Sequence, residues 1–162
     1  MSTTDDMQAA AKKFFSSPHY AVAGASSDAA KFGNKIFAWY LDQGIQPTPL
    51  NPRASSISVR NNNFQTAAAP SALKNASSTS LSIVTPPAVT KQLLKDAKDA
   101  GIQAVWLQPG TFDDDVLEQA KEQFPGAAVG GFEGLSGCNR HEGWCVLVHG
   151  EGTGAGTKDG KL

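Results

Sequence analysis

The sequence predicts a doubly wound α/β domain, a mainly parallel sheet of about five strands with helices on both faces. Three observations carry that prediction. Residues 20–23 are a short apolar run without alternation, as in a parallel strand covered on both sides, and 81–84 and 104–107 read as further core strands. Each runs into a turn rich in glycine or proline and then into a pattern of helical period. The strand-to-helix unit recurs along the chain, and such alternation requires parallel pairing through right-handed crossovers.

The elements follow in order. Residues 5–16 predict a leading helix: Thr4 caps it, Asp5 and Asp6 suit its positive end, and Met7, Ala10, Ala11, Phe14 and Phe15 share a face. Pro18 stops it, because the residue before proline avoids helical geometry. The strand at 20–23 then meets Gly24 and the small residues Ala25, Ser26 and Ser27. A helix follows with Phe32, Ile36, Trp39 and Tyr40 on one face and ends at Gly44. Residues 45–50 predict a second strand whose pairing is partial, since Pro47 and Pro49 cannot donate to a ladder. Asn51, Pro52 and Arg53 close it.

Residues 54–80 are mostly Ser, Asn and Ala. They suggest a short edge strand at 57–59 and a helical turn or two within 70–76. The strand at 81–84 leads into Thr85, Pro86 and Pro87 and a helix over 87–100, with Val89, Leu93, Leu94, Ala97 and Ala100 inward and Gly101 at its end. The strand at 104–107, with Trp106 in the core, leads through Gln108, Pro109 and Gly110 to a helix capped by Thr111, whose spacing to Asp114 is that of a capping box. Asp113, Asp114 and Asp115 suit the start of that helix better than a metal site. Small residues at 127–131 predict a fifth strand and residues 145–149 a last one. Residues 1–150 thus form one domain, and the glycine-rich stretch 151–162 reads as a mobile tail.

Composition narrows the function. The 162 residues carry 14 basic and 15 acidic side chains, net charge −1, so neither nucleic acid nor an anionic membrane is attracted as a whole. No apolar run approaches the roughly 20 residues of a spanning helix. The polar, acidic amino terminus lacks a signal pattern, and the expectation is a soluble cytoplasmic protein. Cys138 and Cys145 fit neither a disulfide framework nor a zinc pattern. His19, His141 and His149 have no partner that spacing identifies, and no catalytic nucleophile with its base stands out.

In a doubly wound sheet, ligands sit beyond the carboxyl ends of the strands. Gly24 to Ser27, Asn51 to Arg53 and Thr85 to Pro87 meet there, with Gln108 and Gly110 as further contributors. Backbone amides of the glycine turn and the following helix N-terminus suit a phosphate. A dinucleotide fingerprint needs three glycines and an acidic residue after strand two. Only Gly24 fills a place in that fingerprint, and Arg53 stands where the carboxylate would. Arginine there favours a phosphorylated ribose, which allows coenzyme A (CoA) or NADP.

Four ordered motifs then carry a resemblance: Ala-Gly-Ala-Ser-Ser at 23–27, Leu-Asn-Pro-Arg at 50–53, Ile-Val-Thr-Pro-Pro at 83–87 and Val-Trp-Leu-Gln-Pro-Gly at 105–110. Over roughly residues 10–130 the chain resembles the stand-alone CoA-binding domain family, related to the amino-terminal domain of the succinyl-CoA synthetase alpha subunit. The resemblance implies a Rossmann-like fold. It implies that Gly24, Ala25, Ser26, Ser27 and Lys31 lie near the CoA phosphates and Asn51, Pro52 and Arg53 near the adenosine end. Thr85, Pro86 and Pro87 would line the pantetheine path. The family's Asp-Arg-Cys segment is not recognisable, and residues 130–145 stand in its place; Cys138 or Cys145 reacting with the CoA thiol is left as an alternative to an unremarkable role. The ligase's phosphohistidine domain has no counterpart. The expected function is CoA or acyl-CoA binding without a catalytic centre, as carrier, sensor or regulatory partner, alone, as a homodimer or with another protein. The alternative is an NADP-dependent oxidoreductase or a CoA-transfer enzyme completed by a partner.

Overall fold

The computed structural model of the chain describes residues 3–108 and 110–130. The elements run α1 (Thr3–Phe14), β1 (His19–Ala23), α2 (Phe32–Asp42), β2 (Thr48–Leu50), β3 (Ser56–Val59), β4 (Asn62–Gln65), β5 (Thr79–Ile83), α3 (Pro87–Ala100), β6 (Ala104–Leu107), α4 (Asp114–Gln123) and β7 (Ala128–Val129). Five strands form one parallel sheet in the order β2-β1-β5-β6-β7. The chain steps from β1 to one side and then returns to build the other side from β5. The point of reversal lies between β1 and β5, and there the outgoing turns diverge and leave a crevice.

Why the sheet is buried follows from its residues. Ala21, Val22, Leu81, Ile83, Val105, Trp106 and Leu107 are essentially inaccessible, as expected for strands covered on both faces. Right-handed crossovers put α2 on one face and α3 and α4 on the other. The leading helix joins α2: Phe14 meets Trp106 with ring centroids 5.5 Å apart, and Phe15 meets Trp39 at 5.9 Å. Tyr20 and Tyr40 complete the cluster, 5.6 Å apart. Removing one such ring to Ala costs about 3–5 kcal/mol, so α1 is firmly anchored. Several polar groups within the packing are paired. Tyr40 Oη and Ser82 Oγ lie 2.5 Å apart, and Ser80 Oγ donates to the Phe14 carbonyl at 2.7 Å. Burial pushes both phenols up, and each stays neutral in the folded protein.

Several local expectations are corrected. The second strand pairs only over Thr48–Leu50, and residues 45–47 stay outside the ladder. The segment 54–80 is more ordered than its composition suggests. It holds the antiparallel hairpin β3–β4, two 3₁₀ turns at Pro70–Ala72 and Ala76–Ser78, and a bridge from Ala67 to Leu50. The hairpin turns through Arg60 and Asn61, both at positive φ, which matches the twist of its strands. It covers α2 through Phe64, 4.9 Å from Phe37, and through buried Ile57 and Val59. The fourth helix is capped by Asp113, whose side chain accepts from the Val116 amide at 2.9 Å. Thr111 instead donates to the Gln108 carbonyl at 2.7 Å. The expected strand at 145–149, both cysteines and the 151–162 tail lie outside the described residues.

Candidate functional site

The turn after β1 is forced by close approach. Gly24 has φ +89°, and a Cβ there would lie 2.7 Å from the Val84 carbonyl oxygen. Only glycine fits both the conformation and the space. From the other side α2 presses equally closely: a Cβ at Gly33 would lie 2.0 Å from the Gly24 oxygen. Gly33 therefore does what the third fingerprint glycine does, bringing helix and turn together, nine residues after Gly24. That spacing is why the sequence did not reveal it.

Short hydrogen bonds hold the rest of the turn. The Asp28 amide donates to Ser26 Oγ at 3.0 Å, and Asn34 Nδ2 donates to the Ser26 carbonyl at 3.0 Å. Asn51 reaches across from the end of β2. Its Nδ2 donates to the Ala25 carbonyl at 3.4 Å, while its Oδ1 accepts from the Arg53 amide at 2.9 Å. The first two turns are thereby tied to each other. On the third turn, buried Thr90 donates toward the Thr85 and Pro86 carbonyls at 3.0 Å each, which fixes the bend into α3.

A groove of about 1060 Å³ opens at this crevice. It is lined by nine of the thirteen expected positions: Gly24, Ala25, Ser26, Lys31, Asn51, Pro52, Arg53, Thr85 and Pro86. The other four are not among its lining residues. Ser27 borders a smaller cavity of about 630 Å³ between α2 and the hairpin, and its Oγ accepts from the Ser58 amide at 2.9 Å. Pro87 forms the first turn of α3, Gln108 is fully buried, and Gly110 is exposed at φ +92°.

The groove also has walls that the sequence did not reveal. Ala68, Ala69 and Pro70 line it, as do Val89, Gln92, Leu93 and Asp96 of α3. Val89, expected inward, is 51% exposed. Leu94 and Ala97 do face the core. The spacing 89, 92, 93, 96 is a helical stripe, but periodicity does not say whether a stripe faces a core or a groove.

Electrostatically the groove is cationic at its rim. Lys31 and Arg53 are exposed, and neither is ion-paired to a described residue. No side chain caps the first turn of α2, which begins just after Lys31. A helix N-terminus with a lysine beside it attracts an anion. By contrast, Arg60 is taken: Asp42 binds it through both carboxylate oxygens and holds it further in its charged form.

A parallel sheet with a glycine turn at its topological switch point defines a Rossmann-like α/β domain. The profile of the CoA binding domain family matches residues 18–134, and the chain belongs to that family. No curated protein matches the sequence. Among solved structures, the chain is similar to a conserved hypothetical protein from Pyrococcus furiosus. The two share 27% identity, with 65% of this chain and 86% of that one covered, at a TM-score of 0.56. A protein from Thermus thermophilus is 25% identical over 68% of this chain and 81% of its own, with a TM-score of 0.56. A hypothetical protein from Pyrococcus horikoshii, 18% identical over 72% of this chain and 80% of its own, shares the fold at a TM-score of 0.61. Among the described residues no helix is long and apolar enough to cross a membrane.

Proposed function

We propose that the groove binds the adenosine diphosphate part of CoA and that the chain is a non-catalytic carrier, sensor or regulatory partner for CoA or acyl-CoA in the cytoplasm. The observation that carries this reading is the pairing of the Gly24 turn with two unengaged cations, Lys31 and Arg53, on one groove. The diphosphate lies over the turn and the start of α2. The 3′-phosphate of the ribose meets Arg53 at the end of β2, where a carboxylate would repel it. Pantetheine leaves past Thr85 and Pro86 towards the β6 turn at Gln108 and Gly110. Binding rather than turnover is favoured because the described groove lining offers its hydroxyls no histidine as a base: Ser26 Oγ accepts from the Asp28 amide, and Thr85 Oγ1 bonds Thr90 Oγ1 at 2.8 Å.

The test is a calorimetric comparison of CoA, acetyl-CoA, NADPH and NADH on the same preparation, with native mass spectrometry for a co-purified ligand. CoA and acetyl-CoA are expected to bind alike, more tightly than NADPH, and to be recovered unchanged. Preference for NADPH, or hydride transfer to a carbonyl substrate, overturns the proposal in favour of a reductase.

A further inference from the structure

The groove is chemically asymmetric. Lys31 and Arg53 stand on the side formed by the β1 and β2 turns, and Asp96 is the sole carboxylate among its described lining residues. Asp96 lies seven residues beyond Val89 on α3, and at about 1.5 Å of rise per residue that is about 10 Å further along the helix. A nucleotide laid in the groove therefore keeps its phosphates among the cations and sends its base towards Asp96, because the reverse orientation sets phosphate against carboxylate.

Between these ends the groove lining is apolar: Val89 and Leu93 of α3, with Ala68, Ala69 and Pro70 beside them. Val89 is the exposed large apolar side chain among the described residues, and it is covered when a base stacks there. Beyond this apolar slot comes the polar pair. Gln92 Nε2 donates to Asp96 Oδ1 at 3.1 Å, one helical turn apart, and leaves the second carboxylate oxygen available.

We propose that Asp96, oriented by Gln92, selects adenine by accepting a hydrogen bond from its exocyclic 6-amino group. This rests on the CoA reading and adds to it the residue that discriminates the base. A carboxylate only accepts hydrogen bonds, so it matches the amino donor of adenine. Hypoxanthine carries a 6-oxo acceptor at the same place and its donor one position away at N1–H, so a carboxylate held opposite the 6-position by Gln92 meets an acceptor instead of a donor. Asp96 is a specificity residue and touches neither phosphate nor thiol.

The experiment compares CoA with its 6-oxo analogue, in which hypoxanthine replaces adenine and every phosphate and the pantetheine arm are unchanged. Affinities are measured by calorimetry on the wild type and on Asp96→Asn. The wild type is expected to prefer CoA by at least about tenfold. In Asp96→Asn the side-chain amide can turn its NH₂ to the 6-oxo group, and the preference is expected to fall to within about threefold or to invert. An unchanged melting temperature in Asp96→Asn certifies the fold, since Asp96 is on a partly exposed helix surface. Tight CoA binding with no preference over the analogue, or a wild-type preference retained in Asp96→Asn, overturns the role of Asp96 and leaves the CoA reading standing. Failure of the wild type to bind either ligand overturns both.

Discussion

Replacing Gly33 by Ala tests whether the nucleotide turn is built by close contact between helix and strand. Taken as a helix position alone, Gly33→Ala should stabilise, because alanine is favoured over glycine in a helix by about 1 kcal/mol. The packing opposes this. The new Cβ would begin 2.0 Å from the Gly24 oxygen and 2.9 Å from its carbonyl carbon. Both are backbone atoms, so no rotamer change relieves the clash, and α2 must retreat by an ångström or more. Overpacking of this kind costs about 1–3 kcal/mol, and a backbone obstacle puts Gly33 at the top of that range. The net expectation is a loss of about 2 kcal/mol. For a domain of this size that lowers the melting temperature by roughly 4–8 °C. Urea titration should show a lower midpoint with an unchanged slope, and the folded variant should bind CoA more weakly because its turn has opened. Equal or higher stability would refute the argument, since the intrinsic helix gain would then have met no obstacle.

Two other outcomes are expected. Arg53→Ala should weaken CoA by about 1.5 kcal/mol, the low end for a charge-assisted bond because Arg53 is exposed, and should leave dephospho-CoA nearly unaffected; an equal loss for both ligands would show that Arg53 does not read the 3′-phosphate. Tyr20 and Tyr40 are the two tyrosines of the chain, and burial raises both phenols above their ordinary value near 10, so the stability they contribute is complete below pH about 10 and is lost as the pH rises further. Phenolate absorbance should therefore appear together with loss of the circular dichroism signal, and ionisation near pH 10 in a protein still folded would contradict the packing of the aromatic cluster.

The parts of the molecule legible in the sequence are those where one local rule decides. Buried parallel strands favour apolar residues, and β1 and β6 lie where unbroken apolar runs stand, while β5 alternates Ser80 and Ser82 with Leu81 and Ile83. The turns after β1, β2 and β5 announced themselves by Gly24, by Asn51 with Pro52, and by Pro86 with Pro87. They converge on one groove because the topology brings strand ends together. What escaped were features decided by a neighbour. In β4, Phe64 is the sole apolar residue among Asn62, Asn63 and Gln65, and it becomes a strand because α2 offers Phe37 to pack on. The cap of α4 is Asp113 and not the expected Thr111, because the backbone is extended at Asp113 and brings its side chain to the Val116 amide. Val89 obeys the same helical period as Leu94 yet faces the groove. Gly33 matters through an atom of Gly24, which spacing alone does not disclose.

The pairing of β1 with β5 has a consequence for how this protein comes into being. Its register joins His19 to Thr79, sixty positions apart, and the groove straddles the same seam. Closing a loop of that length costs roughly 3–4 kcal/mol of chain entropy before any contact compensates. Non-local parallel pairing also puts such domains on the slow side of folding, whereas the hairpin of β3 and β4 needs no such gathering. No fragment ending before β5 holds half a site: the crevice exists only once both strands are side by side. A nucleotide that binds there engages the native state alone and shifts the folding equilibrium by mass action as its concentration rises above its dissociation constant. The supply of ligand in the cell would then set how long each molecule of this protein survives, quite apart from anything the bound molecule signals.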